Sequence, residues 1–151
     1  MSLSEVMFYQ LERQPLEAVL PVLLEKTLAR GWRAVVQAGD AARLEALDAA
    51  LWTYSEDSFL PHGTAKDGFT SAQPVFLTTG GDNPNGAEVR FLVEGAQPDD
   101  LAAYIRVIYL FSGRDEAALA QAREIWKRVK ADGHPVTYWQ QDERGRWEKK
   151  A

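Results

Sequence analysis

Apolar and polar positions follow a strand-like period in some segments of this chain and a helix-like period in others. The two kinds of segment alternate along the chain. Short apolar runs predict strands at residues 6–10, 32–38, 75–78, 88–93, 104–111 and 135–140. Apolar residues at helical spacing predict helices over residues 15–31, 40–52 and 115–133, with a single helical turn at 98–101. Pro21 is an alternative start for the first helix, because proline disfavours a helix interior.

Strands that alternate with helices favour parallel crossover connections. We therefore expect an α/β fold, in which one three-layer domain spans residues 1–151. Its central sheet is expected to be mostly parallel, with helices on both faces. The turn signals at 142–147 predict a final hairpin with a short return strand.

Composition places the chain among folded proteins. Its 151 residues are 46% hydrophobic and 26% charged, and they include no cysteine, which removes disulfide and thiolate chemistry. The first residues lack the basic and apolar regions of a signal peptide, and no apolar run approaches the roughly 18 residues that span a bilayer. We expect a cytoplasmic protein with no membrane partner.

Charge is divided unevenly along the chain. Residues 1–122 hold nine lysines and arginines against 17 acidic residues, whereas residues 123–151 hold eight against five. The body should therefore repel nucleic acid, and the C-terminal segment can attract an anionic peptide. We expect no direct duplex DNA binding. The alternative is that the basic segment is simply solvated.

Catalytic motifs are missing from the sequence. The turn after the first strand, residues 10–15, has no glycine where a pyrophosphate needs close backbone approach, and no Walker A pattern occurs. Gly80 and Gly81 fit a plain turn. His62 and His134 lie far apart and outside any metal-ligand spacing. We expect no cofactor, no metal and no catalytic residues, and the pattern favours a binding module.

The last helix carries a combination of aromatic and cationic residues. At 100° per residue, its apolar stripe comprises Ala118, Ala122, Ile125 and Val129. Trp126 lies at the shoulder of that stripe, and the same side carries Arg123, Lys127 and Lys130. Such a rim can hold an aromatic ring against Trp126 while Arg123 takes a carboxylate. The alternative is a tryptophan that covers the edge of the core beside solvated cations.

A second aromatic segment follows the middle helix. Trp52 ends the helical pattern, and a short polar loop leads to Phe59, Leu60, Pro61 and His62. Large apolar residues in a loop often contact a partner. We expect part of this segment to stay exposed in the isolated protein.

These segments resemble the chi subunit family of bacterial DNA polymerase III. The resemblance covers most of the chain. It rests on Val-Met-Phe-Tyr at the start, Leu-Asp-Ala-Ala-Leu-Trp followed by Ser-Phe-Leu-Pro-His, and a late Ala-Arg-Glu-Ile-Trp-Lys helix that ends in glycine. It implies a non-catalytic accessory protein of the clamp loader, with a fold similar to nucleotide-binding folds but without their function.

The resemblance implies two binding faces. One binds the acidic, Phe-ending C-terminal tail of single-stranded DNA-binding protein, and its matching positions are Arg123, Trp126, Lys127, Lys130 and Gly133. Trp126 stands where better-known members have tyrosine, and Leu119 stands at a position that is basic in them. The other face binds the psi subunit, or a replacement clamp-loader or helicase partner, and its matching positions are Trp52, Phe59, Leu60, Pro61 and His62.

Other functions stay open at this point. A repair-helicase adaptor would use the same aromatic loop. A small phosphate- or nucleotide-processing enzyme would need a glycine-rich first loop or an acid/base cluster. A free-standing binder of single-stranded nucleic acid would need a basic groove with exposed aromatics.

Overall fold

The fold is described by a computed structural model of residues 4–12, 14–53, 62–64, 70–93, 95–96 and 104–151. Its elements, in chain order, are β1 Glu5–Leu11, α1 Leu16–Ala29, β2 Ala34–Gln37, α2 Ala41–Thr53, β3 Gly63–Thr64, a 3₁₀ turn Thr70–Ala72, β4 Val75–Thr78, β5 Val89–Leu92, β6 Arg106–Ser112, α3 Glu116–Ala131, β7 Val136–Gln141 and β8 Trp147–Lys149. The helical turn predicted at 98–101 lies outside the described residues.

The described strands form one sheet in the order β3-β4-β2-β5-β6-β1-β7-β8. All neighbouring strands are parallel except β7 and β8, which form the predicted hairpin. The apolar residues of α1 and α2 pack on one face of the sheet, and those of α3 pack on the other. The predicted three-layer α/β fold with a mostly parallel sheet is confirmed. No helix in the described ranges is long and apolar enough to cross a membrane.

Helix ends follow the predicted capping residues. The Asp40 carboxylate accepts a hydrogen bond from the Arg43 N–H at 2.9 Å, at the start of α2. The Asp115 carboxylate accepts from the N–H groups of Ala117 and Ala118 at 2.9 and 3.2 Å. Beyond α3, Gly133 has a φ of 89°, the left-handed conformation that favours glycine.

Two details differ from the sequence predictions. Helix α1 begins at Leu16, so the alternative start at Pro21 is wrong. Pro21 lies within the helix and is buried, and the missing N–H leaves the carbonyl of Glu17 on an exposed turn, where water can pair with it. The two-residue strand β3 was not predicted, because two residues are too few to show a period.

A buried arginine makes hydrogen bonds on the same face of the sheet as α3, over the part that β4, β2 and β5 form. Arg90 of β5 is only 2% exposed. Its Nε and Nη2 donate to the Gln37 side-chain oxygen at 3.1 and 2.6 Å. Its Nη1 donates to the Asp82 carbonyl at 3.1 Å and to the Tyr104 hydroxyl at 3.0 Å. Its Nη2 also donates to the Gly80 carbonyl, so all five N–H donors are paired with neutral oxygens.

We predict that Arg90→Lys lowers the free energy of unfolding by about 2–4 kcal/mol. Lysine keeps the charge but cannot match the five-donor fork, and each buried group left unpaired costs about 1–3 kcal/mol. Urea denaturation followed by circular dichroism measures the loss. The exposed Arg144→Lys is the control and should change stability by less than about 0.5 kcal/mol. Equal stability of the two variants would contradict the role of Arg90.

Candidate protein-interaction surfaces

A row of aromatic rings crosses three strands beneath α3. Phe8 of β1 is paired in register with Tyr109 of β6 on one side and with Tyr138 of β7 on the other. Trp126 of α3 packs over this row. Its ring centroid lies 5.3 Å from that of Phe8 and 5.9 Å from that of Tyr138, both in edge-to-face geometry. The indole is half-buried, so it is held in place while part of it faces solvent.

Three exposed cations, Arg123, Lys127 and Lys130, lie on the Trp126 side of α3, and we call them together with Trp126 the α3 patch. Lys130 Nζ lies 5.9 Å from the centroid of the Trp126 ring, within cation–π range. Lys127 Nζ is 3.7 Å from a Glu124 carboxylate oxygen, but both side chains are more than 70% exposed, so this pair contributes little. Arg123 is exposed and has no hydrogen-bond or ion-pair partner among the described residues.

A chain of hydrogen-bonded polar side chains from β7 and β1 lies beside the α3 patch. The Tyr138 hydroxyl donates to Gln10 Oε1, and Gln10 Nε2 donates to Glu12 Oε1. Burial raises the pKa of Tyr138; the Gln140 side chain lowers it, Glu12 raises it, and the Arg123 guanidinium lowers it.

The α3 patch ends where helix α3 ends. The His134 N–H donates to the Val129 carbonyl at 3.2 Å, and the Gly133 N–H donates to the Lys130 carbonyl at 3.1 Å. The His134 ring lies with Nδ1 3.1 Å from the Ser4 carbonyl, which ties the turn to the start of β1. Helix α3 thus ends at Ala131, about one turn beyond Lys127, and Gly133 follows its C-cap residue Asp132, as the glycine predicted. Leu119, at the other end of the helix, is partly buried against the core.

The second predicted surface is described only in part. Phe59, Leu60 and Pro61 lie outside the described residues. Trp52, at the end of α2, is 51% exposed, and its ring centroid lies 4.2 Å from that of His62. His62 itself is buried, with Nε2 3.1 Å from Asp48 Oδ1 and 3.3 Å from the Asp48 carbonyl. His62 is therefore placed to support the exposed indole rather than to be exposed itself.

Sequence reasoning did not identify Phe8, Gln10 and Tyr138 as neighbours of the α3 patch. They lie on β1 and β7, which are separated by most of the chain but adjacent in the sheet. Strand order is not encoded in local periodicity, so only the structure brings these side chains to Trp126.

Comparison with known proteins identifies the family. The family model described as DNA polymerase III chi subunit, HolC, matches residues 3–137. The chain therefore belongs to the DNA polymerase III chi subunit family, whose members are accessory subunits of a replicative polymerase.

Two curated relatives carry the same description. The probable DNA polymerase III subunit chi of Rickettsia prowazekii (strain Madrid E) is 35% identical over 92 residues, which cover 61% of this chain and 53% of that protein. This chain thus spans about half the length of that relative. The DNA polymerase III subunit chi of Pseudomonas aeruginosa is 27% identical over 138 residues, covering 89% of this chain and 94% of that protein.

We predict that Trp52→Ala lowers the free energy of unfolding by only about 1 kcal/mol, the order expected for losing one ring–ring contact at the surface. Its neighbour Leu51 is 3% exposed, so Leu51→Ala should cost about 2–5 kcal/mol. Thermal and urea melts of the two variants give the comparison. If Trp52→Ala were as destabilising as Leu51→Ala, the indole would belong to the core and not to an interaction surface.

Proposed function

We propose that this chain is the chi-type accessory subunit of a clamp loader, and that it binds the C-terminal tail of single-stranded DNA-binding protein through the α3 patch. In this role it tethers coated single-stranded DNA to the replisome and performs no catalysis itself. The family membership supports the replication role, and the geometry of α3 supports the choice of surface.

The observation that carries the proposal is the arrangement around Trp126. A half-buried indole, fixed edge-to-face by Phe8 and Tyr138, has three exposed cations of the same helix beside it. The chain as a whole has a net charge of −5, so this concentration of positive charge is local. An acidic peptide that ends in an aromatic residue matches it in both charge and ring chemistry.

The guanidinium of Arg123, which has no hydrogen-bond or ion-pair partner among the described residues, suits the terminal carboxylate of such a peptide. Arginine presents a planar fork that binds carboxylates through two parallel hydrogen bonds. Lys127 and Lys130 are free to attract the acidic residues that precede the peptide terminus, since the Lys127 pair with Glu124 is exposed and weak. The terminal aromatic ring then packs on the indole of Trp126.

The second part of the proposal concerns the surface that contacts the clamp loader. We assign the clamp-loader contact to Trp52, supported by His62, together with the following segment Phe59, Leu60 and Pro61. The partner is psi, or a clamp-loader or helicase protein in its place. The exposed indole held on a buried imidazole supports this assignment, because a pre-positioned ring loses little entropy on binding.

We predict that the protein binds a labelled tail peptide but not a bare single-stranded oligonucleotide at physiological salt. The acidic body repels the phosphate backbone, while the three cations of the α3 patch are few for a surface that binds nucleic acid. Fluorescence anisotropy with both ligands provides the measurement. Comparable binding of the oligonucleotide would make the protein a nucleic-acid binder and reject the proposal.

We predict that Arg123→Ala weakens tail-peptide binding by about 1.5–3 kcal/mol, the usual contribution of a hydrogen bond to a charged group. Folding should be unchanged, because the side chain is exposed. Calorimetric titration gives the affinity, and an amidated peptide should lose a similar amount. Arg128→Ala is the matched control, since Arg128 is exposed on the opposite rim of the same helix. Equal losses for the two variants would show that Arg123 has no specific contact.

We predict that Trp52→Ala abolishes recovery of the clamp loader in a pull-down and leaves tail-peptide affinity unchanged, since the two surfaces lie on different helices. Ile105→Ala is the control, because Ile105 is also 51% exposed but lies elsewhere. Phe59→Ala should behave like Trp52→Ala. Normal recovery of the clamp loader by the folded Trp52→Ala protein would overturn the assignment of this surface.

A further inference from the structure

The tyrosine beside the α3 patch contacts its neighbours through both the edge of its ring and its hydroxyl. Tyr138 of β7 packs edge-to-face on Trp126, with ring centroids 5.9 Å apart, and on Phe111 of β6, with ring centroids 6.0 Å apart. Aromatic pairs of this kind accept a range of offsets and angles, so the ring contacts alone leave the tilt of the tyrosine loosely defined. The partners of the hydroxyl therefore set that tilt.

The hydroxyl of Tyr138 is held from two neighbouring strands. It donates to Gln10 Oε1 of β1, and Gln140 of its own strand also hydrogen-bonds the phenol. Gln10 is only 7% exposed, so its amide is confined by the surrounding protein. Burial raises the pKa of Tyr138 above its ordinary value, and the phenol therefore keeps the proton that it donates at neutral pH.

Glu12 determines which end of the Gln10 amide faces the tyrosine. A glutamine amide carries an acceptor oxygen and a donor nitrogen of similar size, and either end fits beside a hydroxyl. Gln10 Nε2 donates to Glu12 Oε1. Because an ionised carboxylate only accepts, it holds the nitrogen end of the amide and turns Oε1 toward Tyr138. The three side chains thus form one chain in which each group donates in the same direction.

The backbone next to this chain leaves no room for another side chain. Gly113 follows β6, and its N–H donates to the Leu11 carbonyl at 2.8 Å. A Cβ atom at Gly113 would lie 2.6 Å from Gln10 Nε2 and 2.8 Å from Gln10 Cγ, and it would also overlap Glu12 Oε1. The φ of Gly113 is outside the left-handed region, so its backbone does not require glycine. What requires a glycine here is the space taken by the Gln10–Glu12 pair.

We propose that Gln10, Glu12 and Tyr138 are positioning residues for tail-peptide binding. The chain of hydrogen bonds holds the Tyr138 ring, and the ring holds the Trp126 indole in the orientation that receives the terminal aromatic ring of the peptide. A ring that is already positioned loses little entropy when the peptide binds. The inference rests on the proposed function of the α3 patch, and it adds residues of β1 and β7 that act on the peptide only through Trp126.

The first test separates the acceptor oxygen of Glu12 from its charge. Glu12→Ala and Glu12→Gln remove the same negative charge, but only glutamine keeps an oxygen that accepts from Gln10. Fluorescence anisotropy with an acidic peptide that ends in phenylalanine should show roughly three- to tenfold weaker binding by Glu12→Ala than by Glu12→Gln. Equal affinities of the two variants, or tighter binding by Glu12→Ala, would overturn the proposal.

The second test asks whether Glu12 acts through Tyr138. Tyr138→Phe removes the hydroxyl and should itself weaken peptide binding roughly three- to tenfold. When Tyr138→Phe is present, adding Glu12→Ala or Glu12→Gln should give equal affinities, because the chain is already broken. A difference that persists between these double variants would show that Glu12 acts on the peptide directly, and the positioning role would be rejected.

Gly113→Ala tests the chain without a change of charge. The added methyl group must displace the Gln10–Glu12 pair, so peptide binding should weaken by a factor similar to that of Tyr138→Phe. Gly80→Ala is the matched control, because the nearest atom to its Cβ, Asp82 Oδ1, would lie 3.4 Å away, an ordinary contact. Equal peptide affinities of the two alanine variants would contradict the role of the Gln10–Glu12 pair.

The indole N–H signal of Trp126 in the peptide-free protein gives a readout that needs no peptide. Tyr138→Phe, Glu12→Ala and Gly113→Ala should each shift this signal, and Glu12→Gln should shift it less than Glu12→Ala. A Trp126 signal that is the same in all four variants would refute the positioning role alone. A wild-type protein that binds no peptide would instead refute the proposed function, so the two failures are distinguishable.

Discussion

The described structure depends on how its three helices cover the two apolar faces of a mostly parallel sheet. In the described part of the chain, α1 and α2 pack on one face, and α3 alone packs on the other. A single helix cannot cover that second face. The incomplete cover has consequences in two places: the half-buried Trp126 at the margin of α3, and the polar cover held by Arg90.

The two halves of the α3 face are covered by different chemistry. Over β6, β1 and β7 the cover is aromatic, with Trp126 packed on Phe8 and Tyr138. Over β4, β2 and β5 the described cover is the loop between β4 and β5, whose carbonyls at Gly80 and Asp82 bind Arg90. An aromatic margin can accept a partner's ring, whereas a polar loop whose carbonyls are engaged by Arg90 presents no such ring. This difference is the reason that the candidate peptide surface is placed over β6, β1 and β7 and not over β4, β2 and β5.

Local patterns in the sequence predicted the elements and part of the α3 patch. Asp115 and Gly133 marked the ends of α3, and helical spacing placed Trp126 at the shoulder of a stripe whose members Ala122, Ile125 and Val129 are buried. Arg90 was not recognised as buried, since a charged residue in a strand usually faces solvent and its acceptors come from a distant loop.

The central claim, that a peptide tail binds at the α3 patch, is tested most directly by the indole N–H signals of the five tryptophans. Each residue, Trp32, Trp52, Trp126, Trp139 and Trp147, gives one signal in a ¹⁵N-correlated spectrum, which single substitutions assign. Titration with the tail peptide is predicted to move the Trp126 signal strongly and to leave the Trp52 signal in place. A Trp126 signal that stays fixed while another indole shifts at saturation would contradict the account.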